Sequence, residues 1–166
     1  MSDLEVDGSG FAAFGGQLFR CAIGKGGLRA DKREGDGATP AGVFALRELL
    51  YRPDREKPPV TGLPARALAP GDGWCDAPED AAYNRPVRLP YTARAEDMWR
   101  ADGLYDLVVV VGYNDDPVVP GRGSAIFVHI ARPGYAPTEG CVAFTRADLA
   151  LILRAATPQT RLVCRG

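Results

Sequence analysis

The chain has 166 residues, 46% of them hydrophobic and 25% charged, which is typical of one soluble globular domain and excludes a disordered or fibrous protein. Lys and Arg number 20 against 21 Asp and Glu, so the chain lacks the net positive charge that proteins use to hold nucleic acid. We therefore expect a single domain over residues 1–166, with no nucleic-acid partner and no membrane span.

Turns and short strands dominate the predicted first half. Glycine and proline number 20 and 14 in the whole chain, which favours many connections between short elements. Short apolar runs predict strands over residues 4–6, 11–14, 17–23 and 43–51. Residues 24–42, rich in glycine and charge, predict a long surface loop. Residues 52–92 show no sustained periodicity and predict an extended excursion.

The second half combines helices and core strands. Residues 93–101 have a helical composition, with Gly103 as a stop signal. Thr145 and Asp148 have the spacing of a capping box, so a helix should follow them and end before Pro158. Further strands are predicted over residues 104–113, 124–131 and 161–164.

A Cys/His pair is the one arrangement in the sequence that suggests catalysis, because an imidazole can deprotonate a thiol whose usual pKa is about 8.5. His129 is the only histidine, and Cys141 follows it after a loop with two prolines and two glycines, which allows the chain to fold back. Such a coupled pair predicts a rate that rises on the acid side and falls at high pH within about pH 5 to 9. The alternative is structural, because cysteine and a lone histidine are both common in cores.

The other three cysteines do not suggest a site. No C-x-x-C pair occurs, so neither a zinc ribbon nor a redox dithiol is predicted, and we expect no metal and no cofactor. Cys21 and Cys164 lie in apolar strand patterns and are predicted core residues. Cys75 lies in a predicted loop, where its thiol could be exposed.

Two segments resemble a known family. Residues 129–142, HIARPGYAPTEGCV, resemble the signature of YkuD-type L,D-transpeptidase catalytic domains, in which a histidine is followed by a loop and a Ser/Thr-His-Gly-Cys element. Residues 35–44, GDGATPAGVF, are similar to the family's Gly-Asp-Gly-x-Thr-Pro-x-Gly-x-Phe segment. The resemblance covers residues 18–153 and implies a mainly β fold, a sandwich of two mixed sheets with one or two packed helices.

The resemblance also implies roles for residues. Cys141 would be the nucleophile and His129 its base. Gly140 precedes the nucleophile, so the backbone of Thr138, Glu139 and Gly140 is predicted to surround the oxyanion. Glu139 replaces the family's usual second histidine, and Ala143 stands where Arg or Asn is common.

Substrate-binding residues are predicted from polar and aromatic side chains near the motifs and in loops. Either of two arginines near the motif could take the place of the missing Arg or Asn, and four loop residues could line a cleft. These candidates are Arg132, Arg146, Tyr113, Trp74, Asp76 and Asn84.

The leading hypothesis is a cysteine acyltransferase that cleaves the L,D bond before the terminal D-alanine of a peptidoglycan stem peptide through a Cys141 thioester. Water would resolve the thioester in an L,D-carboxypeptidase of muropeptide recycling, and a second stem peptide would resolve it in an L,D-transpeptidase that builds cross-links. Carbapenems would acylate the same thiol. The alternatives are a noncatalytic wall-binding β domain and a papain-like or NlpC-like peptidase, whose cysteine precedes its histidine.

The first residues, Met-Ser-Asp-Leu-Glu-Val-Asp, lack the basic and apolar regions of an export signal. We expect a cytoplasmic protein acting on soluble muropeptides if Met1 is the native start, and a periplasmic or wall protein if a leader precedes it. In the cytoplasm a second stem peptide would be dilute, which favours hydrolysis of the thioester.

Overall fold

Strands dominate the computed structural model, which describes residues 3–166. The strands are β1 Leu4–Val6, β2 Phe11–Phe14, β3 Gln17–Arg20, β4 Leu28–Arg29, β5 Thr39–Pro40, β6 Gly42–Tyr51, β7 Ala65–Ala67, β8 Asp72–Cys75, β9 Pro86–Arg88, β10 Ala95–Asp97, β11 Leu107–Val111, β12 Phe127–Ile130, β13 Val142–Phe144 and β14 Arg161–Cys164. The helical elements in this range are a 3-10 turn at Pro133–Tyr135 and the helix α1 at Arg146–Ala155.

The largest sheet has the strand order β13-β12-β11-β6-β14-β1-β2-β3, with β7 paired to β6. It is mixed, because β1 runs parallel to β14 and β12 parallel to β13 while most other pairs are antiparallel. The sheet curls until its two ends meet, where Ala22 pairs with Ala143. The ten-residue strand β6 joins the two halves. The predicted mainly β sandwich of mixed sheets is confirmed.

The first hydrophobic core lies between the two halves and under α1. Leu149, Ile152 and Leu153 of α1 pack there against alternate residues of the strands, such as Val128 and Val142. The Thr145 hydroxyl accepts a hydrogen bond from the Asp148 amide at 3.2 Å, as the predicted capping box requires. Local sequence therefore determines where α1 begins, and its apolar face determines where it packs.

The second hydrophobic core lies on the opposite face of the same strands, because successive side chains of a strand point to opposite faces. Val108, Val110 and Phe127 contribute to it. A small sheet with the order β10-β8-β9 covers this face, and Trp74 of β8 packs edge-on against Phe127 with ring centroids 5.2 Å apart.

The helix predicted over residues 93–101 is wrong. Ala95–Asp97 form the strand β10, in which Glu96 pairs with Trp74 and Asp97 with Gly73. Beyond it the Asp97 carboxylate accepts the Trp99 amide at 2.8 Å in a turn. Pairing with β8 overrides the helical composition of this segment.

Two predicted irregular regions are also more ordered than expected. Residues 24–42 contain the parallel pair of β4 and β5, and both Lys32 and Thr39 are buried there. Residues 52–92 contain β7, β8 and β9. Within residues 3–166, no helix has the length and apolar character needed to cross a membrane.

Candidate active site

Strand register brings His129 and Cys141 to the same face of the sheet. In the parallel pair of β12 and β13, His129 lies opposite Ala143 and therefore shares its face. Cys141 lies two residues before Ala143, and side chains two apart in an extended chain point the same way. Thiol and imidazole consequently line one cavity of about 250 Å³, on the face away from α1.

His129 has one ring nitrogen available as a base. Its Nδ1 lies 2.8 Å from the carbonyl oxygen of Ile130, which can only accept, so Nδ1 carries the proton and Nε2 keeps its lone pair. The ring of Tyr105 packs against the imidazole with centroids 5.3 Å apart. Burial lowers the pKa of His129 to about 4, so the ring is neutral at physiological pH.

The Cys141 thiol is protonated at rest. Its Sγ donates to the carbonyl of Ala125 at 3.3 Å and accepts from the amide of Phe127 at 3.4 Å. Burial, reinforced by the charge of Glu96, raises the pKa of Cys141 to about 12. The resting pair is thus a neutral thiol and a neutral imidazole.

These pKa values predict that kcat/KM stays constant from about pH 5 to about pH 9 and falls only near about pH 4, because protonation of His129 removes the base. Both limbs of the profile expected for an ordinary Cys/His pair therefore move outside the neutral range. The measurement is kcat/KM at constant ionic strength, with near-UV circular dichroism at each pH to detect acid unfolding. A limb centred between about pH 6 and 7 would contradict this assignment.

The turn before Cys141 is built by Thr138 and Gly140. The Thr138 hydroxyl accepts the Gly140 amide at 3.0 Å and donates to the Cys141 carbonyl at 2.6 Å. Gly140 has φ +142°, and a Cβ there would lie 2.8 Å from the Ala38 carbonyl, so only glycine fits. Because its N–H is already bonded to Thr138, Gly140 shapes the turn in this conformation and does not offer the predicted free oxyanion donor. The exposed Glu139 lines the cavity rim and pairs with Lys25 at 2.9 Å.

The segment 35–44 lies directly beneath this turn. The buried Thr39 hydroxyl donates to the Gly140 carbonyl at 2.8 Å. Asp36 accepts the Lys32 ammonium at 2.9 Å and the Ala38 amide at 2.9 Å. Burial alone would raise the pKa of Asp36, but these donors and the Arg33 amide outweigh it and hold the pKa below its usual value. The motif therefore supports the turn that precedes Cys141 from below.

Two of the predicted substrate-binding residues, Arg132 and Asp76, do line the cavity. The side chain of Arg132 is 53% exposed, and its ion-pair contact with Asp102 is long, at 3.9 Å. Sequence reasoning missed other polar side chains of the walls, because no local motif marks them. These are Glu34, Glu96, Arg100, Tyr105 and Ser124.

The remaining four candidates lie outside the cavity lining, so the structure does not support their predicted contact with substrate. Arg146 begins α1 and forms ion pairs with Glu56 and Asp106. Tyr113 packs edge-on against Phe44. Trp74 and Asn84 are buried and hydrogen-bonded to each other at 2.9 Å. These four side chains instead form ion pairs, ring contacts and hydrogen bonds within the protein.

The other three cysteines are buried and form no disulfide bonds. Cys21 and Cys164 lie in the first core as expected, and burial raises the pKa of each to about 12. Cys75 is also fully buried, contrary to the exposed thiol that its predicted loop suggested. Among residues 3–166, no three His, Cys, Asp or Glu side chains are grouped so as to hold a metal ion.

Comparison with known proteins agrees with this geometry. A family model described as the L,D-transpeptidase catalytic domain, YkuD, matches residues 12–164. No curated protein matches the chain. The family match includes the cavity face, the 35–44 segment and both members of the Cys/His pair. The chain therefore belongs to the YkuD family of L,D-transpeptidase catalytic domains, which act on peptidoglycan peptides.

Proposed function

We propose that this chain is a cysteine acyltransferase that cleaves the bond between the diamino acid and the terminal D-alanine of a stem peptide. The observation that carries the proposal is the shared cavity of Cys141 and His129 in a chain of this family. A noncatalytic wall-binding domain would need neither a free Nε2 nor a thiol in the same cavity.

The chemistry follows from the two resting groups. As Sγ attacks the scissile carbonyl, Nε2 of His129 accepts the thiol proton and becomes imidazolium. When the tetrahedral intermediate collapses, the imidazolium returns this proton to the leaving amine, D-alanine departs and Cys141 holds the peptide as a thioester. Water then attacks with His129 again as base, which releases a tripeptide acid and restores the thiol.

Arg132 is proposed to bind the carboxylate of the terminal D-alanine. It lines the cavity, is half exposed and makes only a long contact with Asp102, so its guanidinium retains donors for a ligand. An arginine fork matches a carboxylate in geometry and charge. Arg146, the other candidate, is already held by Glu56 and Asp106.

We propose hydrolysis as the main reaction, ahead of cross-linking. A cavity of about 250 Å³ is at the small end of ligand pockets, and one stem-peptide end would occupy most of it. When water resolves the thioester, the protein needs no second subsite to bind another stem peptide as acceptor. Soluble muropeptides are therefore the proposed substrates.

The test is incubation with a purified tetrapeptide muropeptide, with and without a second muropeptide as acceptor, followed by mass spectrometry. We expect a tripeptide product that persists when acceptor is present, and a Cys141 adduct when a carbapenem replaces the substrate. The matched control is Cys141→Ser, which should give neither product nor adduct. Dimers that predominate at physiological acceptor levels would identify a transpeptidase, and the absence of product and adduct would indicate a binding domain.

A further inference from the structure

Asn84 is buried behind the cavity, with only 4% of its surface exposed, and all its hydrogen-bonding capacity is used. Its Oδ1 accepts the Trp74 indole N–H at 2.9 Å and the Ala125 amide at 3.0 Å. Its Nδ2 donates to the carbonyls of Tyr113 at 3.1 Å and Asn114 at 2.8 Å. The amide group of Asn84 thus ties its own loop to three other segments of the chain.

Two of these partners, Asn114 and Ala125, have a positive φ, which asparagine adopts readily but which is unusual for Ala125. Its φ of +54° lies in the left-handed region, where the Cβ of an L-residue is crowded. Such a conformation persists only where the surroundings hold it. The hydrogen bond from the Ala125 N–H to Asn84 is the contact that can do so.

Ala125 in turn contacts the nucleophile. Its carbonyl accepts the Cys141 S–H, and two residues later the Phe127 amide donates to the same sulfur. This segment runs directly into β12, which carries His129. The orientation of both the thiol and the base therefore depends on the backbone that begins at Ala125.

We propose that Asn84 is a positioning residue: by holding Ala125 in its left-handed conformation, it fixes the carbonyl that orients the Cys141 thiol. Asn84 does not line the cavity, so its effect on the thiol is indirect. The direct hydrogen bond to Ala125 is the main route, and the bond to Trp74, which packs against Phe127, is a second. The kinetic part of this proposal rests on the proposed function, whereas the structural part does not.

The kinetic test compares Asn84→Ala with Thr145→Ala. Thr145 caps α1 and makes no contact with Ala125, so Thr145→Ala lowers stability without touching the thiol. In Asn84→Ala we expect kcat to fall by about ten- to a hundredfold while KM changes by less than about twofold. Thr145→Ala should keep the kcat of the unmodified chain. Equal kcat in the two variants would overturn the proposal.

A rescue experiment separates positioning from a general loss of structure. Glycine adopts a positive φ without strain, so adding Ala125→Gly to Asn84→Ala should recover at least about threefold in kcat. A merely structural role of Asn84 predicts no recovery, because its bonds to Trp74, Tyr113 and Asn114 stay broken and alanine at position 84 keeps the strain of a φ of +57°. A double variant no faster than Asn84→Ala would therefore contradict the proposal.

Amide hydrogen exchange tests the same contact without any substrate. The amides of Ala125 and Phe127 should exchange at least about tenfold faster in Asn84→Ala than in Thr145→Ala. If the unmodified chain does not act on muropeptides but these two amides respond as expected, the proposed function fails and the positioning role stands. Unchanged exchange at both amides would rule out the positioning role.

Discussion

Cys141→Ser and His129→Ala should each lower kcat by more than about a thousandfold while the fold remains intact. A serine hydroxyl is a far weaker nucleophile than a thiol. It is also much less acidic, so a stronger base than His129 would be needed to deprotonate it at this buried position. His129 is the only imidazole of the chain and lines the cavity with Cys141, so no second imidazole can replace it as base. Steady-state kinetics on a tetrapeptide muropeptide and circular dichroism give the two readouts.

The matched control for the nucleophile is Cys75→Ser. Cys75 is also fully buried, but it lies in the small sheet, where its sulfur contacts Asp80 at 3.7 Å. We expect this variant to keep most of the activity. An inactive, folded Cys75→Ser protein, or an active Cys141→Ser protein, would show that Cys141 is not the reactive thiol.

Asp36→Asn should destabilise the fold by about 3 kcal/mol, because it leaves a buried ammonium without its counter-charge. The side chains of Lys32 and Asp36 are 4% and 13% exposed and lie 2.9 Å apart. Asparagine keeps an oxygen for the Ala38 amide but not the negative charge. Urea denaturation at neutral pH measures the change in the free energy of unfolding.

The double variant Lys32→Met/Asp36→Asn is the control for this prediction. Methionine has a similar length and carries no charge, so most of the lost stability should return. If the double variant is no more stable than Asp36→Asn, the loss comes from the Asp36 hydrogen bonds to the backbone and not from the ion pair.

Local signals in the sequence were enough for part of this structure. Thr145 and Asp148 form the capping box that predicts where α1 begins. The continuous run of valines in Leu107–Val111 predicts a strand that is buried on both faces. The approach of His129 to Cys141 was predicted from the loop between them and from the family resemblance, and the structure places both in one cavity.

Other features depend on contacts between distant segments, which composition does not encode. Residues 95–97 form a strand because β8 lies beside them. Glu34 meets Glu96 and Arg100 in the cavity only after two segments far apart in the chain have folded together. The sequence around Lys32 is typical of an exposed loop, but in the structure Asp36 and the turn at Gly140 bury its side chain.

Strand pairing places His129 and Cys141, which carry the proposed chemistry, independently of most of the loop between them. Residues 138–141 are fixed, since the Thr138 amide donates to Ile23 and its carbonyl accepts the Lys25 amide. Residues 132–137 have only to connect the ends of two parallel strands, yet Arg132, Ala136 and Pro137 form part of the cavity wall. Insertions and deletions there can reshape the entrance for larger or smaller peptides while the sulfur and the imidazole keep their separation.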